Sequence, residues 1–318
     1  MCIRDRLTTG VEFQYTIEQD QNFIRRSNDW GVITVDEDSS WKKNLRNNWY
    51  GVYLQDEWRM ADDLTVNAGL RWDYYEGVGG TTNPRVAVIK NLSDATTLKL
   101  LYGTAFRAPT AHELYYQDEA LEQEPALDLK SETIETYEAV LEHYFDRSMR
   151  GSVSLYHYKL LDFINQRSLE GWPPGLMTWE NAGKVEATGV ELGLEKNWKN
   201  GMRGRFSYSF ARTKYYEVQW GSDSDEDEPT DRTTLPNSPQ HMVKGNLIIP
   251  LIKDKLFAGL EAQYYSRRSV LSTVPEFDRS RGRFLKGYIV TNLTLTWKDV
   301  VKNLELAFAV RNLFDEKY

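Results

Sequence analysis

What the chain lacks narrows it first. It has one cysteine, Cys2, in 318 residues, so no disulfide can form within it. No stretch approaches the ~20 consecutive apolar residues of a membrane-spanning helix, which excludes that way of crossing a bilayer. Positive charge is not in excess. Lys and Arg number 39 against 47 Asp and Glu, a net charge of −8, and no basic patch of the kind nucleic acid requires is present. The four histidines, His112, His143, His157 and His241, are far apart and show no H-E-x-x-H or comparable ligand spacing. There is no G-x-S-x-G elbow, phosphate loop or dinucleotide fingerprint, so nothing speaks for an enzyme or a bound cofactor. The opening Met1–Arg6 has no n-region, apolar h-region or small-residue cleavage site, and so is no secretory signal.

What the chain has is alternation. Leu64, Val66, Ala68, Leu70 and Trp72 form one apolar row, and the residues between them are polar, charged or small. The same period of two recurs at Leu256–Ala258–Leu260–Ala262–Tyr264 and at Leu304–Leu306–Phe308–Val310. Successive side chains on a strand point to opposite faces, so each segment has one apolar and one wet face. The runs exceed the roughly 5–6 residues of soluble strands and match the roughly 9–11 of transmembrane ones. Aromatics at 13%, with 19 Tyr and 10 Trp, suit girdles at the two membrane interfaces, although any β-protein favours them.

This pattern predicts an all-β, transmembrane, antiparallel up-and-down barrel with thirteen strands in this chain. They are expected near 8–19, 47–60, 63–76, 83–91, 96–107, 130–145, 149–164, 180–196, 201–217, 237–250, 255–267, 285–298 and 303–315. Short connections rich in Asp, Asn and Ser alternate with long ones near 20–46, 108–129, 165–179, 218–236 and 268–284, and with a shorter one at 77–82. Short turns on one rim and long loops on the other is the outer-membrane pattern, with the long loops outside the cell. Leu256, Leu260, Leu304, Leu306, Phe308 and Val310 are expected to face lipid, and Glu261 and Glu305 the interior.

Several local motifs carry a family resemblance. Tyr53–Trp58 followed by Leu64…Ala68-Gly69-Leu70-Arg71-Trp72-Asp73 is one. Others are Asn83-Pro84-Arg85, Tyr102–Thr110, Asn181-Ala182-Gly183…Gly189-Val190-Glu191, Asn237–His241 and Arg311–Asp315. In this order, across nearly the whole chain, they resemble the barrel of TonB-dependent outer-membrane receptors. That resemblance implies a 22-stranded barrel with an N-terminal plug and an energy-coupling box, of which this chain matches strands nine to twenty-one. Residues 1–6 resemble a translated sequencing adapter and are set aside. Residues 7–318 are expected to be one barrel domain, a part lacking plug, early strands and last strand. The odd strand count adds an expectation that the native gene continues past Tyr318 and upstream of the chain.

The motif residues also have plainer readings. Asp56, Glu57, Arg71 and Asp73 are expected to pair across strands or to reach the interior. Gly103, Gly189 and Gly193 are expected to face inward, either admitting a close neighbour or marking a bend. Pro84 and Pro109 are expected at strand ends, since proline cannot donate to a ladder.

The resemblance implies active uptake of a scarce nutrient, most often a ferric siderophore, across the outer membrane of a Gram-negative bacterium. Its partners would be the TonB–ExbB–ExbD complex, reached through the plug and coupling box, and the surrounding outer-membrane lipid and lipopolysaccharide. Cobalamin, haem or another metal complex, a passive porin-like channel and a lipid-modifying barrel enzyme are the alternatives. Candidate substrate residues are loop aromatics and a neighbouring histidine: His112, Tyr115 and Tyr116 on one loop, Trp172 and Trp179 on another. Such groups suit capture of a partly aromatic metal chelate, or they pack the loops together. Asp223–Glu228 opens like a calcium loop, but Glu228 and Thr234 stand where Gly and Glu are needed. It is expected to be an extracellular, solvated acidic loop within 221–231, attracting cations or bridging to lipopolysaccharide.

Overall fold

The period-two segments become one antiparallel ladder. The computed structural model describes residues 4–16, 24–26, 33–35, 48–116, 124–168, 177–181, 183–216, 232–233, 235, 237–269 and 284–317. In chain order the elements begin with β1 (Arg4–Gln14), β2 (Ile24–Arg26), β3 (Ile33–Val35), β4 (Trp49–Ala61), β5 (Leu64–Tyr75), β6 (Gly79–Ser93) and β7 (Thr96–Arg107). A short helix, α1 (Ala111–Tyr115), is followed by β8 (Glu132–Asp146), β9 (Met149–Leu161), β10 (Ile164–Ser168), β11 (Met177–Asn181), β12 (Lys184–Asn197) and β13 (Arg203–Tyr216). The chain closes with β14 (Arg232–Thr233), β15 (His241–Ile252), β16 (Leu256–Tyr265), β17 (Arg268–Ser269), β18 (Phe284–Leu285), β19 (Tyr288–Trp297) and β20 (Leu306–Val310).

Thirteen strands pair in the order β1-β4-β5-β6-β7-β8-β9-β12-β13-β15-β16-β19-β20, with β14 beside β13, and the small hairpins β2–β3, β10–β11 and β17–β18 stand apart. The up-and-down order and the strand count are those expected from the periodicity. Among the described residues no helix is long and apolar enough to cross a membrane.

Register shows what the alternation does. Val66, Val88, Leu100, Ala139, Leu155, Val190 and Phe210 lie side by side across seven strands. The next row toward the short turns runs through Leu98, Leu141, Val153, Leu192, Tyr208, Val243, Tyr264 and Ile289. This face stays bare: Leu155 is 53% exposed, Leu260 43% and Ile289 54%. An apolar surface continuous over so many strands belongs in lipid, since water would oppose it. The opposite face carries Arg150, Glu195, Arg205, Asn246, Glu261 and Asn292 side by side. Glu195 lies 3.0 Å from Arg205, and Glu261 accepts from Asn292 at 3.2 Å. Gly103, Gly189 and Gly193 lie on this wet face, and the Tyr156 ring crosses directly over Gly189.

Several boundaries differ from expectation. The stretch 77–82 is not a loop. β6 starts at Gly79, after a tight turn in which Val78 N–H donates to the Tyr75 carbonyl at 3.2 Å and Gly77 takes φ 82°. Pro84 therefore sits inside β6, not at its end. It pairs with Leu70 on β5, while the β6–β7 ladder stops at Arg85–Gly103, just short of the residue that has no N–H. β20 is shorter than expected because Asn303 and Asn312 both adopt positive φ and turn the chain. Leu304 and Glu305 consequently lie in the preceding turn and not on the strand; Leu256, Leu260, Leu306, Phe308 and Val310 do share the apolar face. β1 begins at Arg4, so Arg4–Arg6 take part in the ladder.

Candidate ligand-binding site

A wall one layer thick has no interior of its own. The buried apolar residues among those described gather instead at the long-loop end: Leu114, Ala126, Leu129 and Ile164, with Val78, Tyr115 and Trp179 packed against them. Helix α1 starts this cluster. Thr110 caps it in a reciprocal box: its hydroxyl accepts from Glu113 N–H at 3.2 Å, and its own N–H donates to Glu113 Oε2 at 2.7 Å. Five residues are too few for a helix to persist alone, so the anchor must come from elsewhere.

That anchor is Arg107, the last residue of β7. Its Nη1 and Nη2 hold both oxygens of Glu113 at 2.9 and 3.0 Å, and its Nε holds Glu132 at 2.6 Å. The other oxygen of Glu132 accepts Ile164 N–H at 2.8 Å, so one guanidinium ties together β7, α1, β8 and the start of β10. Both carboxylates are buried, and burial without this partner would cost several kcal/mol. Burial works to raise the Glu113 carboxyl. Hydrogen bonds from Arg107 and Thr110 outweigh it and hold the group below its ordinary value.

On this latch the aromatic residues meet. His112 and Tyr116 rings lie 4.5 Å apart, and the Trp179 ring stands edge-on to His112 at 6.1 Å. Tyr116 is buried against Ala111, and Tyr115 packs into the apolar cluster. His112 is exposed and Trp179 half-exposed, so these two present themselves to solvent. Trp179 Nε1 is buried without a hydrogen-bond partner, an orphan donor beside the histidine. Of the five candidates, His112, Tyr115, Tyr116 and Trp179 are thus brought together. Trp172 and the acidic loop 221–231 lie outside the described residues.

Beneath the rim, on the wet face, lies a second cluster, in which the expected Arg71 and Asp73 are joined by Glu12, which the sequence had not singled out. Arg71 donates to Asp73 at 2.8–3.0 Å and to Glu12, two strands away, at 2.8 Å. Asp73 is fully buried, and Trp49 and Tyr53 rings flank the guanidinium at 5.5 and 5.9 Å. Gly51 makes room, since a Cβ there would meet Arg71 and Asp73 at 2.8 Å. A recess of about 450 Å³ adjoins it, walled by Gln55, Asn83 and Arg85 among others. Arg71 and Asp73 thus pair along one strand and reach the interior together, whereas Asp56 lies on the apolar face between Leu7 and Ala68.

Among the described residues no group of three or more His, Cys, Asp or Glu could hold a metal. His143, His157 and His241 are each bonded to a hydroxyl on a neighbouring strand, at 2.8, 2.8 and 2.9 Å. The described part of the rim offers an exposed imidazole, a partly exposed indole ring and an anchored helix above a charged inner wall.

Comparison with known proteins agrees with this architecture. The family model "TonB dependent receptor-like, beta-barrel" matches residues 4–313. The ferrienterobactin receptor of Escherichia coli (strain K12) is 21% identical over 313 residues, covering 90% of this chain and 39% of that protein. The heme/hemopexin utilization protein C of Haemophilus influenzae is 25% identical over 314 residues, covering 86% and 41%. Among solved structures, a ferric enterobactin receptor mutant from Pseudomonas aeruginosa superposes with a TM-score of 0.74 at 19% identity, covering 99% of this chain and 46% of that one. A copper transporter superposes with a TM-score of 0.72 at 20% identity, covering 99% and 48%. The chain thus spans about two fifths of the length of these curated relatives.

Proposed function

Because the chain belongs to the TonB-dependent receptor-like β-barrel family, we propose that it forms part of an outer-membrane receptor that takes up a metal complex, energised through TonB. The family is one of receptors, not of enzymes. Its curated relatives are named for ferric enterobactin and for heme, and one structural neighbour for copper, which supports a metal complex as cargo. Within that class we favour a ferric siderophore, with haem, cobalamin or another metal complex as the alternative.

The observation that carries the reading is the division of chemistry between the two faces and two ends of the wall. The outer face is apolar over most of each strand, as lipid requires. The loop end holds His112 and the orphan indole N–H of Trp179 on an anchored scaffold, above the Glu12–Arg71–Asp73 cluster. An aromatic chelate fits these groups by stacking on the exposed His112 ring and on the open part of the Trp179 ring. Further in, beside that cluster, Arg85 donates to the neutral Gln55 rather than to a carboxylate, and there an anionic complex would next meet positive charge.

The test is uptake by cells. A strain lacking its own receptors and expressing the full gene should accumulate radioactive iron from a panel of ferric siderophores and from haem, and only when TonB is functional. Uptake that persists without TonB would mean a passive channel instead.

A further inference from the structure

The outer face changes character at the loop end of β9, β12 and β13. Moving toward the loops, the apolar row Leu155–Val190–Phe210 gives way to His157–Thr188–Arg212 and then to Lys159–Glu186–Lys214. All share the parity of Leu192 and Tyr208, so they face outward, away from the inner-wall Gly189 and Glu191. The third row is Leu161–Lys184–Tyr216, and on β8 Glu135 stands opposite Lys159. Four cations, Lys159, Lys184, Arg212 and Lys214, thus face two carboxylates on a chain whose net charge is −8.

One of those carboxylates is already committed. Glu186 accepts Lys184 Nζ at 2.7 Å and the Tyr216 hydroxyl at 2.9 Å. Among the described residues no carboxylate lies within ion-pair distance of Lys159, Arg212 or Lys214, and Arg212 is exposed. The patch is local. In the same registered rows β5 and β6 turn Ala68, Leu70, Val86 and Pro84 outward and β4 turns Leu54 and Asp56, so no further cation joins it on that side.

We propose that Lys159, Arg212 and Lys214 bind the phosphorylated headgroup of an outer-leaflet lipid whose acyl chains lie along Leu155, Val190 and Phe210. This rests on the outer-membrane, loops-outside reading above. Three facts select the ligand. The cations sit immediately beyond the last apolar row, at the depth where lipid phosphates meet water. Alternate residues of a strand are about 7 Å apart and strands about 4.8 Å, so the three cations span about 10 Å, the scale of a phosphosugar and not of one free phosphate. The apolar rows below continue the site into the acyl region, which a soluble anion cannot use.

The full-length protein, purified in detergent micelles, is titrated with bis-phosphorylated lipid A and, separately, with the same lipid stripped of both phosphates, and bound lipid is counted by native mass spectrometry. The variant Lys159→Ala/Arg212→Ala/Lys214→Ala should retain the bis-phosphorylated lipid at least tenfold less well and leave the dephosphorylated one unchanged. Arg212→Lys should keep most of the binding, and Lys90→Ala, at the short-turn end, all of it. Retention unchanged in a triple variant that keeps heat-modifiable mobility, the mark of a folded barrel, overturns the proposal. So does equal loss of both lipids, or displacement by millimolar inorganic phosphate, which would make this a site for a free anion. The lipid readout is independent of transport, so it can fail while TonB-dependent uptake stands; loops found on the periplasmic side would sink the receptor reading instead.

Discussion

Replacing Leu260 by Arg should destabilise the barrel far more than changing its neighbour Glu261. β16 is ten residues long, and Leu260 lies four residues from one end and five from the other. At about 3.4 Å per residue and a tilt near 45°, each residue advances about 2.4 Å through the bilayer. Leu260 is therefore about 10–12 Å from either end of a band about 25 Å tall, close to the midplane. Its register partners, Leu247 and Leu293, offer no polar atom to shelter a guanidinium. A lipid-facing Arg at this depth costs about 2–4 kcal/mol, roughly 30- to 700-fold in the folding equilibrium. Glu261 faces the opposite way and accepts from Asn292, a bond that Glu261→Gln retains, so its cost should be about 1 kcal/mol or less. Guanidinium titrations of the full-length protein in lipid vesicles, read by tryptophan fluorescence, measure both. Equal costs, or a larger one at Glu261, would refute the assignment of faces.

Removing Arg107 leaves Glu113 and Glu132 buried without their partner, so Arg107→Ala should loosen the loop by about 2 kcal/mol and speed proteolysis between residues 108 and 131. Trp179→Phe should leave stability unchanged or slightly raised, because it removes an orphan donor, whereas Trp179→Ala, which removes the ring, should weaken retention of the metal complex several-fold in equilibrium binding. Glu113 is held below its ordinary value of 4.5, so its stabilisation is complete above that pH and is lost only as pH falls through the lowered value. Trp179 emission in a His112→Gln background, which removes the neighbouring imidazole, isolated by difference against the same background with Trp179→Phe, should therefore stay flat from pH 7 to 5 and change only in stronger acid; a transition at pH 6 there would contradict the latch. Gly189→Ala should cost about 1–3 kcal/mol in the same guanidinium titration, since its methyl would collide with the Phe210 carbonyl and the Tyr156 ring, and the carbonyl belongs to a paired strand.

The wall was legible in the sequence because lipid on one side and water on the other impose period two on every strand. Where that demand lapses, so did the reading. Gly79-Gly80-Thr81-Thr82 has no apolar alternation, yet it pairs with Trp72–Tyr75, and the Trp72 indole lies against Gly80 in place of a side chain. Helix α1 was overlooked because five residues are too few to show a period, although Thr110 and Glu113 spell its cap. Convergence is less accessible still. Arg107 meets Glu113 within six residues, but Glu132 and Ile164 arrive from separate strands, and only their register brings them there. Asp56 shows the opposite failure: a charge beside a charge in sequence, turned to the apolar face by parity alone.

The same geometry explains why, on the proposed function, binding chemistry would collect at the loop end. Most wall side chains are given either to lipid or to the open wet face, with no second layer over them. Enclosure, which strengthens hydrogen bonds and ion pairs, is greatest toward the loop end of the wall. The buried charges Glu113 and Glu132 are at that end, and Asp73 is just inside it. On the proposed function, anchoring α1 through Arg107 then matters for binding as well as stability. A loop tied to three strands by one guanidinium holds His112 and Trp179 at a fixed height above Arg71, whereas a free loop would have to lose that mobility on each binding event, at about 1–2 kcal/mol per residue ordered. On the proposed function, the latch thus fixes the position of a site whose contacting groups are only rings.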